Sequence, residues 1–166
     1  MRFLWLCVCS FGVVVGLTGT SYSADAAMQA NRRIEARGRA IAVYQKAADN
    51  NERFARENAG TEKAADALFD AIAFRLMLGQ EARAIESARL FTLHHGSRQP
   101  SRSAEIALAI GAHFARREDW QHARAQLGSR LREIDDAGSL DVQVQAHALM
   151  GRVYTKMSNT EIGRAH

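Results

Sequence analysis

The chain has 166 residues, 47% of them hydrophobic, and a single proline, enough for one domain with a real core and too apolar for a disordered chain. Its formal charge of +4 is the excess of 22 lysines and arginines over 18 acids, a densely charged but only mildly basic surface that points to neither nucleic acid nor a membrane surface. Cys7 and Cys9 both lie in the apolar N-terminal run, so a chain that loses this run has no thiol for a disulfide, a metal or nucleophilic catalysis.

Residues 1–26 read as a signal peptide. Arg2 precedes the uncharged run "FLWLCVCSFGVVVGLTG", and Ala24 and Ala26 form an Ala-x-Ala site suited to signal peptidase. Neither cysteine ends the run, as lipoprotein processing requires. The expected location is therefore periplasmic or secreted. The alternative is an uncleaved N-terminal anchor, since the run approaches the shortest membrane span. Contact with a membrane is expected only if this segment is retained. Arg32, Arg33, Arg37 and Arg39 follow the run, where positive charge counts against export.

Residues 27–60 are helix-forming and predict an entry helix packed on the first hairpin of the repeats. Ile34, Ile41, Tyr44 and Phe54 fall on or near one face, and Glu35 with Arg39 and Glu52 with Arg56 are i,i+4 pairs. A break is expected near Asn50 and Asn51.

Residues 61–160 repeat. Ile72, Gly111 and Gly151 recur 39 and then 40 residues apart, and Ala84 and Ala123 recur at 39. Each unit opens with an alanine-rich amphipathic stretch ("ADALFDAIAFRLML", "AEIALAIGAHFARR", "VQAHALMGRVYTKM"). A short polar turn comes next ("GQ", "ED", "SN"), and the unit then continues helically, which is one helical hairpin per repeat. Crossing helices need small residues where their backbones approach, a role expected of Gly111, Gly151, Ala84 and Ala123, with Phe114, Trp120 and Tyr154 filling the space around them. Gly79, Gly96 and Gly138 stand where helices should stop, and Ser101, Asp119 and Ser139 where they should start. The fold expected is all-α, a solenoid of two full hairpins and a half, truncated at its C-terminus.

These residues resemble the tetratricopeptide repeat family. Its pattern sets a small residue at the eighth position, aromatics at the eleventh and seventeenth, glycine at the fifteenth and alanine at the twentieth. Counted from Ala104, the chain supplies Gly111, Phe114, Trp120 and Ala123; counted from Ala65, Gly79 and Ala84; counted from Val144, Gly151 and Tyr154. It departs from the pattern at Ile72, Arg75 and Glu118, and its period exceeds the family's usual length of about 34. The longer period is similar to that of bacterial envelope members, such as the coordinator associated with the Tol-Pal system.

The resemblance implies a non-catalytic protein-binding scaffold. Its groove would be lined by Asp66, Phe69, Ala73, Leu76 and Met77, then Glu105, Leu108, Ala112, Ala115 and Arg116, then Gln145, Ala148, Arg152, Thr155 and Lys156. The apolar strip Phe69, Leu76, Met77 and Leu108, ending at Arg152 and Lys156, suits a protein or peptide partner with hydrophobic anchors and an acidic terminus. The alternative is the targeting or regulatory arm of a longer protein whose effector domain is missing.

Residues 161–166 predict a non-native tail. "IGRAH" is what ATC GGA AGA GCA CAC encodes, a string resembling the opening of a widely used sequencing adapter, so natural sequence would stop near Thr160. The last repeat would then lack its second arm and expose some of Val144, Leu149, Met150 and Val153.

No catalytic, cofactor or metal site is expected. His94 and His95 diverge on a helix, and His113 and His122 lie on opposite arms of one hairpin. No metalloprotease, phosphate-loop, nucleophile-elbow or dinucleotide motif occurs. Arg116, Arg117, Arg124, Arg130 and Arg132 raise phosphate or nucleic-acid binding as a lesser reading, but Glu105, Glu118, Asp119, Glu133, Asp135 and Asp136 are interspersed among them, as on a solvated helical face.

Overall fold

The computed structural model describes residues 12–164, with side chains described for residues 26–158. Seven helices make up the described chain: α1 (Gly12–Glu57), α2 (Glu62–Met77), α3 (Glu81–His95), α4 (Pro100–Arg116), α5 (Trp120–Gly128), α6 (Leu131–Ala137) and α7 (Leu140–Arg164). The chain divides into two compact units, Met1–Val43 and Tyr44–His166.

In the first unit, Ile34, Ile41 and Val43 are exposed, and Glu35 and Arg39 form the anticipated pair at 3.9 Å. The predicted signal segment falls on residues whose structure or side chains lie outside those described. Among the described residues no helix is long and apolar enough to cross a membrane.

The second unit is a stack of helical hairpins. The last turns of α1 meet α2 and α3 through Glu52, which binds Arg75, Arg83 and Ser87. α2 pairs with α3, α4 packs on α2 and α3 and pairs with α5 and α6, and α7 packs on α4, α5 and α6. The buried faces are alanine-rich: Ala64, Ala65, Ala71, Ala84, Ala104, Ala123 and Ala146 are fully enclosed, with Phe91, Leu127, Ile134 and Val153 filling the space between helices.

Turn chemistry sets the helix ends. The backbone amide of Ala64 donates to Thr61 Oγ1 at 3.2 Å, capping α2, and the amide of His122 donates to Asp119 Oδ1 at 3.2 Å, capping α5. That amide first, with the His122 ring and the Arg117 charge, holds the Asp119 carboxyl below its usual range against the opposing effect of burial. Ser139 receives the Val142 amide at the start of α7. After α2 the chain turns through Gly79 at φ +68, and after α4 through Glu118 at φ 60, the same step made once with glycine and once without.

Several expectations need correcting. No break occurs at Asn50 and Asn51; α1 is continuous to Glu57. α4 starts one residue before Ser101, with Pro100 in its first turn, where a missing N–H costs nothing. The Ser101 hydroxyl instead donates to the Ala137 carbonyl at 2.8 Å. The second arm of the second hairpin is split into α5 and α6 around Ser129 and Arg130, just after Gly128, a residue that favours interruption. α7 has no turn at Ser158 and Asn159 and runs on to Arg164. Gly111 meets Leu127 rather than Ala123 across the hairpin. A side chain on Gly151 would meet open space and Tyr154 is exposed, with no second arm over them among the described residues. Of the four residues named on the last repeat, only Val144 is open; Leu149, Met150 and Val153 are buried against the preceding hairpin.

Candidate interaction face

The first arms α2, α4 and α7 carry the residues named for a groove, and the structure divides them. Asp66, Ala73, Met77, Glu105, Arg116, Gln145, Ala148, Arg152, Thr155 and Lys156 are exposed. Phe69, Leu108 and Ala112 are half-buried and packed on the core, and Ala115 is buried. Leu76 does not belong to an open groove: it is only 8% exposed and sits in the central cluster. Its position on α2 points between the helices, where desolvation favours a large aliphatic side chain. Met77, by contrast, is 63% exposed.

Arg102 on α4, missed in the sequence, organises the α2 end of this face. Its Nη1 donates to Asp66 Oδ1 at 2.5 Å, and its guanidinium stands 5.0 Å from the centre of the Phe69 ring, a cation–π position. Asp66 and Phe69 are thus partly occupied by a residue of the next repeat. At the other end Gln145 Nε2 donates to Asp141 Oδ2 at 2.7 Å, and the Thr155 hydroxyl donates to the Gly151 carbonyl at 2.9 Å.

A second cluster was also missed. Arg75, the position where the repeat pattern sets an aromatic, is fully buried and donates to both oxygens of Glu52, at 2.7 and 2.9 Å. Arg83 and Ser87 also reach Glu52, at 2.6 and 3.2 Å. The expected pairing of Glu52 with Arg56 is therefore replaced by one across the fold. Burial pushes the Glu52 carboxyl up, but the hydrogen bonds and charges of Arg75 and Arg83 outweigh it and hold the carboxyl below its usual range. The Arg75 hydrogen bond likewise lowers Asp49. The signal that could have found this cluster was Arg75 itself, a charge on the apolar face of a helix.

Three histidines are tied to carboxylates. His113 Nε2 lies 3.0 Å from Glu81 Oε1, and Arg117 also pairs with Glu81. His122 and Asp119 approach to 2.7 Å, as do His147 and Asp135. Among the described residues no three His, Cys, Asp or Glu side chains converge as metal ligands do.

The suspected arginine patch is largely paired. Besides Arg117, Arg130 meets Glu133 at 3.0 Å and Thr92 at 2.8 Å, and Arg132 lies 3.8 Å from Asp136. Arg124 stands 5.6 Å from the centre of the Tyr154 ring, on an open cleft of about 580 Å³ between α5 and α7.

No family model, curated protein or solved structure matches the chain.

Proposed function

We propose that the chain is a non-catalytic scaffold of the cell envelope, a tetratricopeptide-like stack that holds a peptide or helix of another protein along its first arms. One observation carries the reading: Met77 is 63% exposed at the end of α2, beside Ala73 and in line with the half-buried Phe69, Leu108 and Ala112. Met77 extends an apolar strip that runs on through half-buried side chains, and a flexible thioether at the end of such a strip suits an adaptable apolar contact. Arg116, Arg152 and Lys156 supply positive charge farther along the same arms, matching a partner with an acidic end. Export by residues 1–26 supplies the envelope setting.

Peptides with two hydrophobic anchors and an acidic terminus, titrated against the full chain, test the reading. Met77→Asp is expected to abolish binding with helicity unchanged, and Arg116→Glu to weaken it most for the most acidic peptides, flattening the dependence on peptide charge. Binding that ignores both substitutions sinks the proposal.

A further inference from the structure

The charge of the chain is mild only as an average. Residues 26–46 hold Arg32, Arg33, Arg37, Arg39 and Lys46 against the single acid Glu35, and the rest of the chain, with 17 cations and 17 acids, is neutral. The whole net charge of +4 therefore sits on one stretch of α1, and every side chain of that stretch is exposed. Glu35 lies 3.9 Å from Arg39, so Arg33 and Arg37 are left without a carboxylate among the described residues.

The same stretch opens aliphatic and aromatic side chains to water: Ile34 is 67% exposed, Ile41 44% and Tyr44 43%. Two turns apart, Ile34 and Ile41 fall within about 20° of one another around the helix, with Ala27, Ala30 and Gly38 beside them. Arg33 and Arg37 border this line on one side, and Glu35, Lys46 and Arg39 stand beyond it on the other. A helical stretch that buries none of its faces gains nothing from packing, and packing is what holds most helices in water.

We infer that residues 27–46 dock on an anionic lipid surface, lying in its plane with Ile34 and Ile41 facing the acyl chains. A protein groove takes large anchors at successive i, i+3, i+4 and i+7 positions, and here alanine, glycine and Arg37 interrupt the line. A headgroup layer asks for less shape. Aliphatic side chains sink below the phosphates, and flanking arginine and lysine extend along them to keep their charges at phosphate level. Charge selects anionic lipid over neutral lipid, because five cations face one acid within about six turns of helix. The attraction belongs to this stretch itself and does not require the apolar run of residues 1–26. It is also independent of the peptide-binding face, none of whose residues takes part.

Co-sedimentation of the full chain with two kinds of vesicle tests the assignment, one of phosphatidylcholine alone and one of equal parts phosphatidylcholine and phosphatidylglycerol. Any contribution of residues 1–26 to insertion is common to both. The chain is expected to bind the anionic vesicles at least about tenfold more tightly, and to lose that preference as salt rises from about 0.1 M to about 1 M. Arg33→Gln with Arg37→Gln weakens binding to the anionic vesicles about tenfold or more, whereas the charge-matched pair Arg116→Gln with Arg152→Gln leaves it unchanged. Ile34→Ser with Ile41→Ser weakens it without altering the dependence on salt. Equal binding to the two vesicles overturns the proposal, as does an anionic preference that the two arginine pairs reduce alike. A chain that ignores both vesicles but is held by a short DNA duplex through Arg33 and Arg37 overturns it in favour of nucleic acid.

Discussion

Arg75 is sealed from solvent and grips Glu52 through two nitrogens, at 2.7 and 2.9 Å, across 23 residues of sequence. Glu52 is itself only 4% exposed, so neither charge can turn to water when the other is lost. Arg75→Leu and Glu52→Leu should each destabilise the protein by about 3–5 kcal/mol. The pair Arg75→Leu with Glu52→Leu should recover most of that loss, since apolar side chains of similar size remove the desolvation cost together with the attraction. Urea unfolding of the four proteins in a double-mutant cycle measures the coupling; additive losses would show that the two residues act independently.

Two groups of side chains give the stability two acid windows. Burial, aided by the charges of His94 and Arg98, lowers His95 from its ordinary 6.5. The unfolded chain therefore takes up this proton first, and stability declines as pH falls below 6.5 toward the folded value. Glu52 and Glu81 are also lowered, from 4.5: burial raises both, but Arg75 and Arg83 outweigh it at Glu52, and His113 and Arg117 do so at Glu81. Their contribution is complete above 4.5 and is lost as pH falls through their depressed folded values. His95→Gln should flatten the upper window and Glu52→Gln the lower one, as read from unfolding midpoints at successive pH values. A profile unchanged by either substitution would refute the assignment.

The hairpins were legible because their signals are local: Gly79 and Asp119 sit at the turns where the repeat phase sets them, and the alanines at the crossings are buried. What escaped depends on contacts the sequence does not put side by side. Arg102 reaches Asp66 over a separation of 36 residues, and Glu52 is claimed by Arg75 although Arg56 stands at the usual helical spacing. Leu76 and Met77 are adjacent and both apolar, yet one is core and the other surface. A resemblance pattern that assigns both to a groove cannot separate them, whereas the rotation of α2 against α4 does. The division of the second arm into α5 and α6 was marked only by Gly128 and Ser129, a weak signal beside the helix-forming residues around them.

Glu118 offers a direct gain in stability. It occupies the left-handed region at φ 60, the place in the turn that Gly79 occupies at φ 68 one repeat earlier. A side chain there crowds the neighbouring carbonyl, at a cost of about 1–2 kcal/mol that glycine avoids, set against the greater entropy glycine loses on folding. Glu118→Gly should therefore stabilise the fold by about 0.5–1 kcal/mol, and Gly79→Ala should destabilise it by a similar amount. Thermal unfolding reads both, and two shifts of the same sign would contradict the turn geometry.

Gly111 and Gly151 occupy equivalent places in successive repeats and should respond in opposite directions. At Gly111 an added methyl group stands 3.0 Å from Leu127 Cβ. Leu127 is fully buried, and a Cβ atom moves only with its backbone, so larger side chains must push α5 off α4. Gly111→Val should cost about 1–3 kcal/mol. At Gly151 the added group meets open space, and Gly151→Ala should gain up to about 1 kcal/mol from helix propensity alone. Thermal unfolding reads both substitutions, and a loss of stability at Gly151 would place a neighbour over it that the open space around it excludes.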